Sequence, residues 1–302
     1  MRRGTSRAIL RADTEVADRQ FLIEAEIPFE KSARVQLNRQ AVRRRSDLTP
    51  ALQVTVFSPG DRRLVEGGPA ERRGYLDDVL AERHPRLEAL VNEVELVLRQ
   101  RAALLRQSGG RADESVLSTI DVWDERLAKS GGELADERDA LVGELQPLVD
   151  ESYAHLAGRH SHVTLSYRRS WTGDLAHALR NARADDLRRQ MTSVGPHRDE
   201  LEIELQGSPA RTHASQGEQR CIALALRTAT HDLRRRTAAE PPVLLLDDVF
   251  SELDTYRSTA LVDRLPQGQV LLTTAVDPPD VVGALQVVEV VDGGLITQPC
   301  EP

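Results

Sequence analysis

An apolar run that ends in two carboxylates constrains the fold of this chain more than any other feature. Val243 to Leu246 is continuously apolar, which is typical of a central parallel strand covered on both faces. Asp247 and Asp248 follow at the carboxyl end, where open α/β sheets place their ligands. Adjacent carboxylates repel each other unless a cation offsets them, and magnesium on a triphosphate meets that need. The alternative is that the two aspartates only begin a loop.

If the run does end in a nucleotide site, the two aspartates have different tasks. Asp247 is predicted to bind Mg²⁺ or orient its water. Asp248 is predicted to polarise an attacking water molecule. Both are therefore candidate catalytic residues.

A second motif precedes an apolar helix predicted over residues 221–233. Ser215 and Glu218 have the Ser-x-x-Glu spacing of a capping box. Gly217 leaves the helix mouth without a side chain, so that N–H groups and the positive end of the helix can contact a γ-phosphate. A purely structural cap fits the same spacing. Ser251 and Asp254 have the related Ser-x-x-Asp spacing, which predicts a second cap.

The remaining patterns predict an α/β fold with an inserted helical arm. Helical spacing of leucine and valine covers most of residues 76–156, with a new start near Pro85, a turn at Ser108 to Gly110 and an interruption at Gly131 and Gly132. Helix and strand then alternate after residue 213, which predicts a parallel sheet. Strands are predicted at 21–27, 54–57, 163–167, 201–205 and 270–274. The predicted units are residues 1–75, mainly β, the arm at 76–160, and 161–302; a helical layer on the core is the alternative for the arm.

Several motifs in combination resemble those of a known family. Residues 214–220 resemble the signature motif of ABC-type ATPases, 244–248 a Walker B strand, and 251–254 a D-loop. The segments 57–59, 68–73, 121–124 and 195–199 are similar to the RecF family of DNA replication and repair proteins, a relative of the SMC and Rad50 heads. The resemblance covers nearly the whole chain. It implies an ABC-ATPase-like P-loop NTPase head.

The resemblance also implies activity, cofactors and partners. Members bind single- and double-stranded DNA at gaps and junctions in an ATP-dependent way, as homodimers with weak ATPase activity. They act in recombinational repair and the SOS response with RecO and RecR partners. ATP and Mg²⁺ are the implied cofactors. The residues implied to bind the nucleotide are Ser215, Gln216, Gly217, Asp254 and Thr274, with Ser215 reaching the ATP of the partner subunit.

One family motif has no counterpart in the chain. A P-loop needs Gly-x-x-x-x-Gly-Lys-Ser/Thr, and neither lysine, Lys31 or Lys129, is preceded by the required glycines. We therefore expect an N-terminally truncated head that hydrolyses little ATP alone, and whose strand 243–246 borders a gap. The alternative is a DNA- or protein-binding module that works without ATP. A fragment of an SMC or Rad50 protein is a third possibility, but its coiled coil would be far longer.

The charge distribution suggests where DNA could bind. The net charge is -8, yet residues 1–75 hold 15 Lys+Arg against 10 Asp+Glu. The predicted phosphate contacts are Arg43, Arg44, Arg45, Arg72 and Arg73, with a solvated surface as the alternative. With 3% aromatic residues, base stacking is not expected to be the main mode of binding.

Two further features concern the turn at 195–199 and the cellular compartment. His197 and Arg198 lie in a Gly-Pro turn and are expected to line the nucleotide site or to stabilise the dimer, with a purely structural role as the alternative. Cys221 and Cys300 have no metal-ligand spacing, which suits a reducing cytoplasm. The sequence has no signal segment and no long apolar run, so neither secretion nor membrane insertion is expected.

Overall fold

The computed structural model describes residues 5–30, 32–158, 161–236, 238, 240–265, 268–275, 286–291 and 294–299. Residues 1–4 and Cys300 lie outside these ranges. The strands are β1 Arg7–Val16, β2 Arg19–Pro28, β3 Arg34–Leu37, β4 Gln40–Ala41, β5 Val54–Phe57, β6 Val163–Arg168, β7 Glu200–Leu205, β8 Ser208–Pro209, β9 Val243–Asp247, β10 Val270–Thr273, β11 Gln286–Val291 and β12 Gly294–Pro299. The helices are α1 Arg63–Glu66, α2 Pro69–Arg83, α3 Pro85–Ser108, α4 Glu114–Ala157, α5 Leu175–Arg189, α6 Ala210–His213, α7 Gln216–Arg235 and α8 Thr255–Asp263. Short 3-10 turns cover Arg45–Asp47, Pro59–Arg62, Pro196–Arg198 and Phe250–Glu252.

Helices α3 and α4 form a long antiparallel hairpin. Pro85 occupies the first turn of α3, and the Nδ1 atom of His84 accepts a hydrogen bond from the Arg86 amide, so the predicted start near Pro85 is confirmed. Gly109 ends α3 with a φ of +60°, a conformation that glycine adopts at little cost. Asp113 then caps α4 by accepting from the Val116 amide.

The predicted interruption at Gly131 and Gly132 is wrong. Helix α4 runs unbroken for 44 residues, or about 66 Å. Gly131 serves packing: its Cβ would stand 3.1 Å from Cδ of Pro196. The missing side chain therefore lets the turn at Pro196 lie directly against the helix.

The predicted parallel sheet is confirmed, with the order β10-β9-β5. Strand β9 has a hydrogen-bonded neighbour on each side, so the expectation that it borders a gap is wrong. One face of the sheet, carrying Leu244 and Leu246, belongs to the main core. On the other face, Val56, Leu245 and Leu271 lie in one row across the three strands, with Val56 45% and Leu271 52% exposed.

The other sheets are antiparallel. Strands β1 to β4 form one sheet in sequence order, β6 to β8 form another, and β11 pairs with β12. All five predicted strands are confirmed, although β10 ends at Thr273 rather than Thr274.

The main core centres on α4 and α7, which pack along each other. Most residues of α7 between Gln219 and Leu233 are buried. Because α4 also carries the arm, one continuous helix joins the arm to the core of the parallel sheet. Among the described helices, none combines the length and the apolar composition needed to cross a membrane.

Candidate functional site

The two aspartates that follow the apolar run lie at the carboxyl edge of the parallel sheet. Asp247 is exposed and pairs in register with Thr273 on β10. The Thr273 hydroxyl donates a hydrogen bond of 2.6 Å to Oδ1 of Asp247. Thr274, the residue predicted to meet a γ-phosphate, follows one position later and is half-buried. The sheet edge therefore presents one carboxylate whose orientation is fixed by a neighbouring hydroxyl.

Asp248 has an unusual conformation. Its φ is +49°, a left-handed value that aspartate tolerates better than most residues and that is common at functional sites. Its amide donates to the Thr273 carbonyl at 2.9 Å, and its carbonyl accepts from the Ser251 hydroxyl at 2.9 Å. These bonds hold the backbone of Asp248 in this conformation.

The Asp248 carboxylate faces a small cavity. Its Oδ1 atom is buried and accepts no hydrogen bond from the described residues. The cavity has a volume of about 30 Å³ and is also lined by Ser58, Asp61, Arg220 and Leu253. That volume is sufficient for a water molecule. Asp248 therefore has a buried acceptor that no described residue uses, next to a cavity that can hold a water molecule.

Asp247 is suited to bind a magnesium ion together with phosphate oxygens and water, but the described residues offer no site made of protein ligands alone. Among the described residues, no group of three or more His, Cys, Asp or Glu side chains is arranged to hold a metal. Mg²⁺ is commonly bound through one or two carboxylates, with phosphate oxygens and water completing its octahedron. An exposed Asp247 held by Thr273 supplies the protein side of such a site.

The predicted capping box at the start of α7 is confirmed. The amide and the hydroxyl of Ser215 both donate to Oε2 of Glu218 at 2.8 Å, and the Glu218 amide donates back to the Ser215 hydroxyl at 3.4 Å. Ser215 and Gln216 are exposed. The helix mouth is thus formed by local bonds and opens to solvent.

The second predicted cap begins at a different residue. Asp254, not Ser251, caps α8 by accepting from the Arg257 amide at 2.9 Å, because residues 250–252 form a 3-10 turn instead of helix. Nη1 of Arg257 also donates to Asp254 at 2.9 Å and lies 3.4 Å from where a Cβ of Gly217 would be.

Arg257 therefore joins the start of α8 to the start of α7. Sequence reasoning missed this residue. The available signal was its position three residues after Asp254, since side chains at that spacing meet on a helix. A Cβ at Gly217 would stand at an ordinary van der Waals distance from the flexible Arg257 guanidinium, so the main effect of the glycine is to leave the helix mouth open.

Two of the arginines predicted to contact DNA are engaged inside the protein. Arg72 is 6% exposed and forms a two-pronged ion pair with Glu200 at 2.8 and 3.1 Å. Its Nη1 atom donates to the Gly67 carbonyl. Arg73 is half-buried and donates to the Asp199 carbonyl at 2.7 Å. Arg72 is therefore not accessible to phosphate in this structure, and Arg73 is accessible only in part.

The turn that carries His197 and Arg198 is held by one carbonyl. Nε2 of His197 and the guanidinium of Arg198 both lie within 3.0–3.2 Å of the Thr192 carbonyl. Burial lowers the pKa of His197 to about 4, despite the opposing hydrogen bond to Thr192. The imidazole is therefore neutral at physiological pH, and Nε2 is the donor. These contacts give both side chains a structural task within the turn.

The predicted arginine triplet divides in the same way. Arg45 pairs with Asp78 at 2.6 Å, whereas Arg43 and Arg44 are exposed and form no ion pair within 4.0 Å with any described residue. Of the three, only the guanidinium groups of Arg43 and Arg44 therefore have no carboxylate partner among the described residues.

Known proteins similar to this chain are RecF proteins. No protein-family model matches. The curated protein from Streptomyces avermitilis is 42% identical over 302 residues, covering 94% of this chain and 80% of its own length. The protein from Acidothermus cellulolyticus is 41% identical, with 93% and 79% covered. Both are described as "DNA replication and repair protein RecF".

Solved structures give the same fold. The recombination mediator protein RecF-ATP has a TM-score of 0.85 at 23% identity, covering 98% of this chain and 82% of its own. RecF-ATPrS has a TM-score of 0.82 at 22% identity, with 97% and 81% covered. An Smc head domain from Pyrococcus furiosus has a TM-score of 0.52 at 15% identity, with 98% and 78% covered. The fold is thus that of RecF and SMC head domains of the ABC-ATPase type. On the sequence identities across most of its length, the chain belongs to the RecF family of DNA replication and repair proteins.

Proposed function

We propose that this protein binds DNA in an ATP-dependent way during recombinational repair and the SOS response. Its targets are single-stranded gaps and junctions between single- and double-stranded DNA. The observation that carries the proposal is the buried, unused acceptor on Asp248 beside an exposed, oriented Asp247. In such a pair, Asp247 is suited to bind magnesium on a phosphate, and Asp248 is suited to accept a hydrogen bond from a water molecule.

Each residue of the site has a defined task in this proposal. Asp247 holds Mg²⁺, which when bound neutralises charge on the phosphates, and Asp248 polarises the attacking water. Ser215, Gln216 and Gly217 meet the γ-phosphate of a partner subunit, because their helix mouth is exposed and carries the positive end of the α7 dipole. Asp254 and Thr274 line the same interface from the D-loop and the end of β10. Turnover is weak and takes place in an ATP-bound homodimer.

The proposed setting follows the relatives. Two similar structures are described as a recombination mediator of the RecFOR pathway, which supports RecO- and RecR-type partners and a cytoplasmic location. The division into residues 1–75, 76–160 and 161–302, with the arm in the middle, is part of the same proposal.

A second candidate function is DNA or protein binding without ATP. The observation that favours it is the sequence, which contains no Gly-x-x-x-x-Gly-Lys-Ser/Thr motif. Backbone amides of such a loop normally surround the phosphates. If binding needs no nucleotide, Asp247 and Asp248 have no catalytic task in this chain.

The two candidates differ in one measurement. We would measure the Kd for a labelled gapped DNA by fluorescence anisotropy, with and without a slowly hydrolysed ATP analogue and Mg²⁺. The proposal predicts a Kd at least tenfold lower with nucleotide, and loss of that gain in Asp247→Asn. A Kd that is the same with and without nucleotide would favour the second candidate.

Ser215→Asn offers a matched variant for the helix mouth. Asparagine caps a helix about as well as serine, so the stability of α7 is retained while the hydroxyl is removed. The proposal predicts that this variant loses the nucleotide effect on the Kd. Retention of the full effect would exclude contact between the Ser215 hydroxyl and the γ-phosphate.

A further inference from the structure

An arginine-rich hairpin stands on the surface next to the base of the arm. We call residues 34–47 the arginine hairpin; they include β3, β4 and the turn Arg45–Asp47. This stretch has five arginines and one acidic residue, and Arg34, Arg39, Arg43 and Arg44 are exposed. None of these four forms an ion pair within 4.0 Å with the residues that the structure describes.

The hairpin register brings two of these arginines opposite each other. Gln36 pairs with Ala41, and the Val42 amide donates to the Val35 carbonyl at 2.9 Å. Extending the same register by one more position would place Arg34 opposite Arg43. Like charges directly opposite each other are destabilising in an antiparallel pair, and Arg44 adds a third positive charge beside them.

Nearby carboxylates offset little of this charge. Glu26 is the cross-strand neighbour of Arg34, but it pairs with Arg7 at 2.9 Å. Asp47 uses one carboxylate oxygen to accept from the amides of Arg43 and Arg44. The arrangement therefore retains a cluster of positive side chains that an external anion would stabilise.

The turn that carries Arg43 and Arg44 is rigidly anchored. Buried Glu88, on α3, accepts from the Arg45 amide at 2.8 Å, from the Ser46 amide at 3.2 Å and from the Ser46 hydroxyl. With the two bonds to Asp47, every amide from 43 to 46 is bonded to a carboxylate. Less conformational entropy is then lost when the arginines bind a ligand.

We propose that the arginine hairpin contacts the phosphate backbone of duplex DNA through Arg34, Arg43 and Arg44, with Glu88 as the residue that positions the turn. The hairpin has no aromatic residue, so it lacks the stacking platform that single strands use. Contacts to phosphate do not depend on sequence. The inference rests on the proposed function, since it names the surface through which that DNA is held.

The main test uses the double variant Arg43→Gln/Arg44→Gln. Anisotropy with a labelled 30-base-pair duplex would be measured at several salt concentrations, in the presence of the ATP analogue and Mg²⁺. We expect at least a tenfold increase in Kd at about 100 mM salt and a salt slope shallower by about two, because each lost phosphate contact removes about 0.9 from the slope.

A matched control removes the same charge elsewhere. Arg180 and Arg189 on α5 are also exposed and form no ion pair within 4.0 Å with any described residue, so Arg180→Gln/Arg189→Gln should change the Kd less than twofold. An equal increase in Kd in both double variants would show that only the net charge matters, and would overturn the inference. An unchanged Kd in Arg43→Gln/Arg44→Gln would also overturn it. A single strand that binds more tightly and suffers the same loss would refute the choice of duplex.

Glu88→Gln separates positioning from charge. Removing this negative charge should tighten DNA binding if only net charge matters, whereas a loosened turn should raise the Kd about threefold or more with the salt slope retained. A lower Kd would refute the positioning role. Melting temperature serves as the check on folding, and Glu88→Asp, which keeps the acceptors, should restore part of the affinity.

Failure of the proposed function would look different. If the wild-type protein bound no DNA with or without nucleotide, the proposed function and this inference would both fall. If the wild type bound and the Arg43→Gln/Arg44→Gln variant bound equally well, only the hairpin would be excluded.

Discussion

Arg101 is the residue whose loss should most weaken the arm. Its side chain has no exposed surface and joins three elements. Nε donates to Asp124 on α4 at 2.7 Å, and Nη1 donates to Asp186 on α5 at 2.8 Å and to the Thr192 hydroxyl at 2.9 Å. We predict that Arg101→Met removes the bonds between these elements and lowers the free energy of unfolding, while α3 remains helical.

The expected magnitude follows from the partners that remain. Asp124 keeps a second cation, Arg183, at 2.8 Å, but fully buried Asp186 loses its only ion pair among the described residues. Breaking a buried pair by removing one partner costs about 3–5 kcal/mol. Since whole domains are stable by about 5–15 kcal/mol, we expect a decrease in the free energy of unfolding near 4 kcal/mol, or roughly a thousandfold in the equilibrium constant.

The assay is urea denaturation followed by circular dichroism. Arg99→Met, on an exposed position of the same helix, is the control and should change the free energy of unfolding by less than about 0.5 kcal/mol. Adding Asp186→Asn to Arg101→Met should recover at least 1 kcal/mol, because the uncompensated charge is then gone while an amide oxygen can still accept from Ser193. A loss below 1 kcal/mol in Arg101→Met would refute the reasoning.

Four further substitutions test the packing, the electrostatics and a helix cap. Gly132→Ala should raise the free energy of unfolding by about 0.5–1 kcal/mol in thermal or urea melts, since its Cβ meets nothing within 4 Å; Gly131→Ala should gain less, because its Cβ would press on Pro196. With its pKa near 4, His197 stays neutral in the fold while the unfolded chain gains a proton below pH 6.5. The wild type should therefore lose up to about 3 kcal/mol more unfolding free energy between pH 6.5 and 4 than His197→Gln does. Identical pH profiles for the two proteins would exclude the lowered pKa of His197. Asp254→Ala should cost about 1 kcal/mol of unfolding free energy through loss of the α8 cap, and a change below 0.3 would contradict that role.

Local chemistry made much of the fold predictable. The capping box at Ser215, the helix start at Pro85 and the strand at Val243 to Leu246 each depend on neighbouring residues in the chain, and each is confirmed. The family could also be identified, because its motifs have fixed spacing. The sequence alone does not show whether a glycine interrupts a helix. Gly131 and Gly132 weaken an isolated helix, yet α4 continues through both, and the turn at Pro196 packs where Gly131 has no side chain.

The errors in the candidate site have a common physical cause. Ser251 has the spacing of a helix cap, but residues 250–252 form a 3-10 turn, so α8 starts later and Asp254 is its cap. Glu88 was missed because the amides that it binds lie 42 and 43 positions away in the sequence. For Arg257, the spacing indicated the contact with Asp254 but not the approach to Gly217 on another helix. The same limit applied to Arg72, whose partner Glu200 lies 128 positions away.

Burial, not the local density of positive charge, therefore decides which arginines are accessible to an external ligand. The chain has 40 basic residues, of which only two are lysines, and a planar guanidinium suits two-pronged pairs with carboxylates inside a protein. Arg72 and Arg138 show that use, each nearly buried in a two-pronged pair with one carboxylate, and fully buried Arg101 makes one contact to each of two carboxylates. A cluster of arginines in the sequence can thus contain both residues that pair inside the protein and residues that are exposed to an external ligand. Arg43 and Arg44 differ because their amides are held by carboxylates while their guanidinium groups stay exposed, an arrangement that fixes the backbone and leaves the charge for a partner.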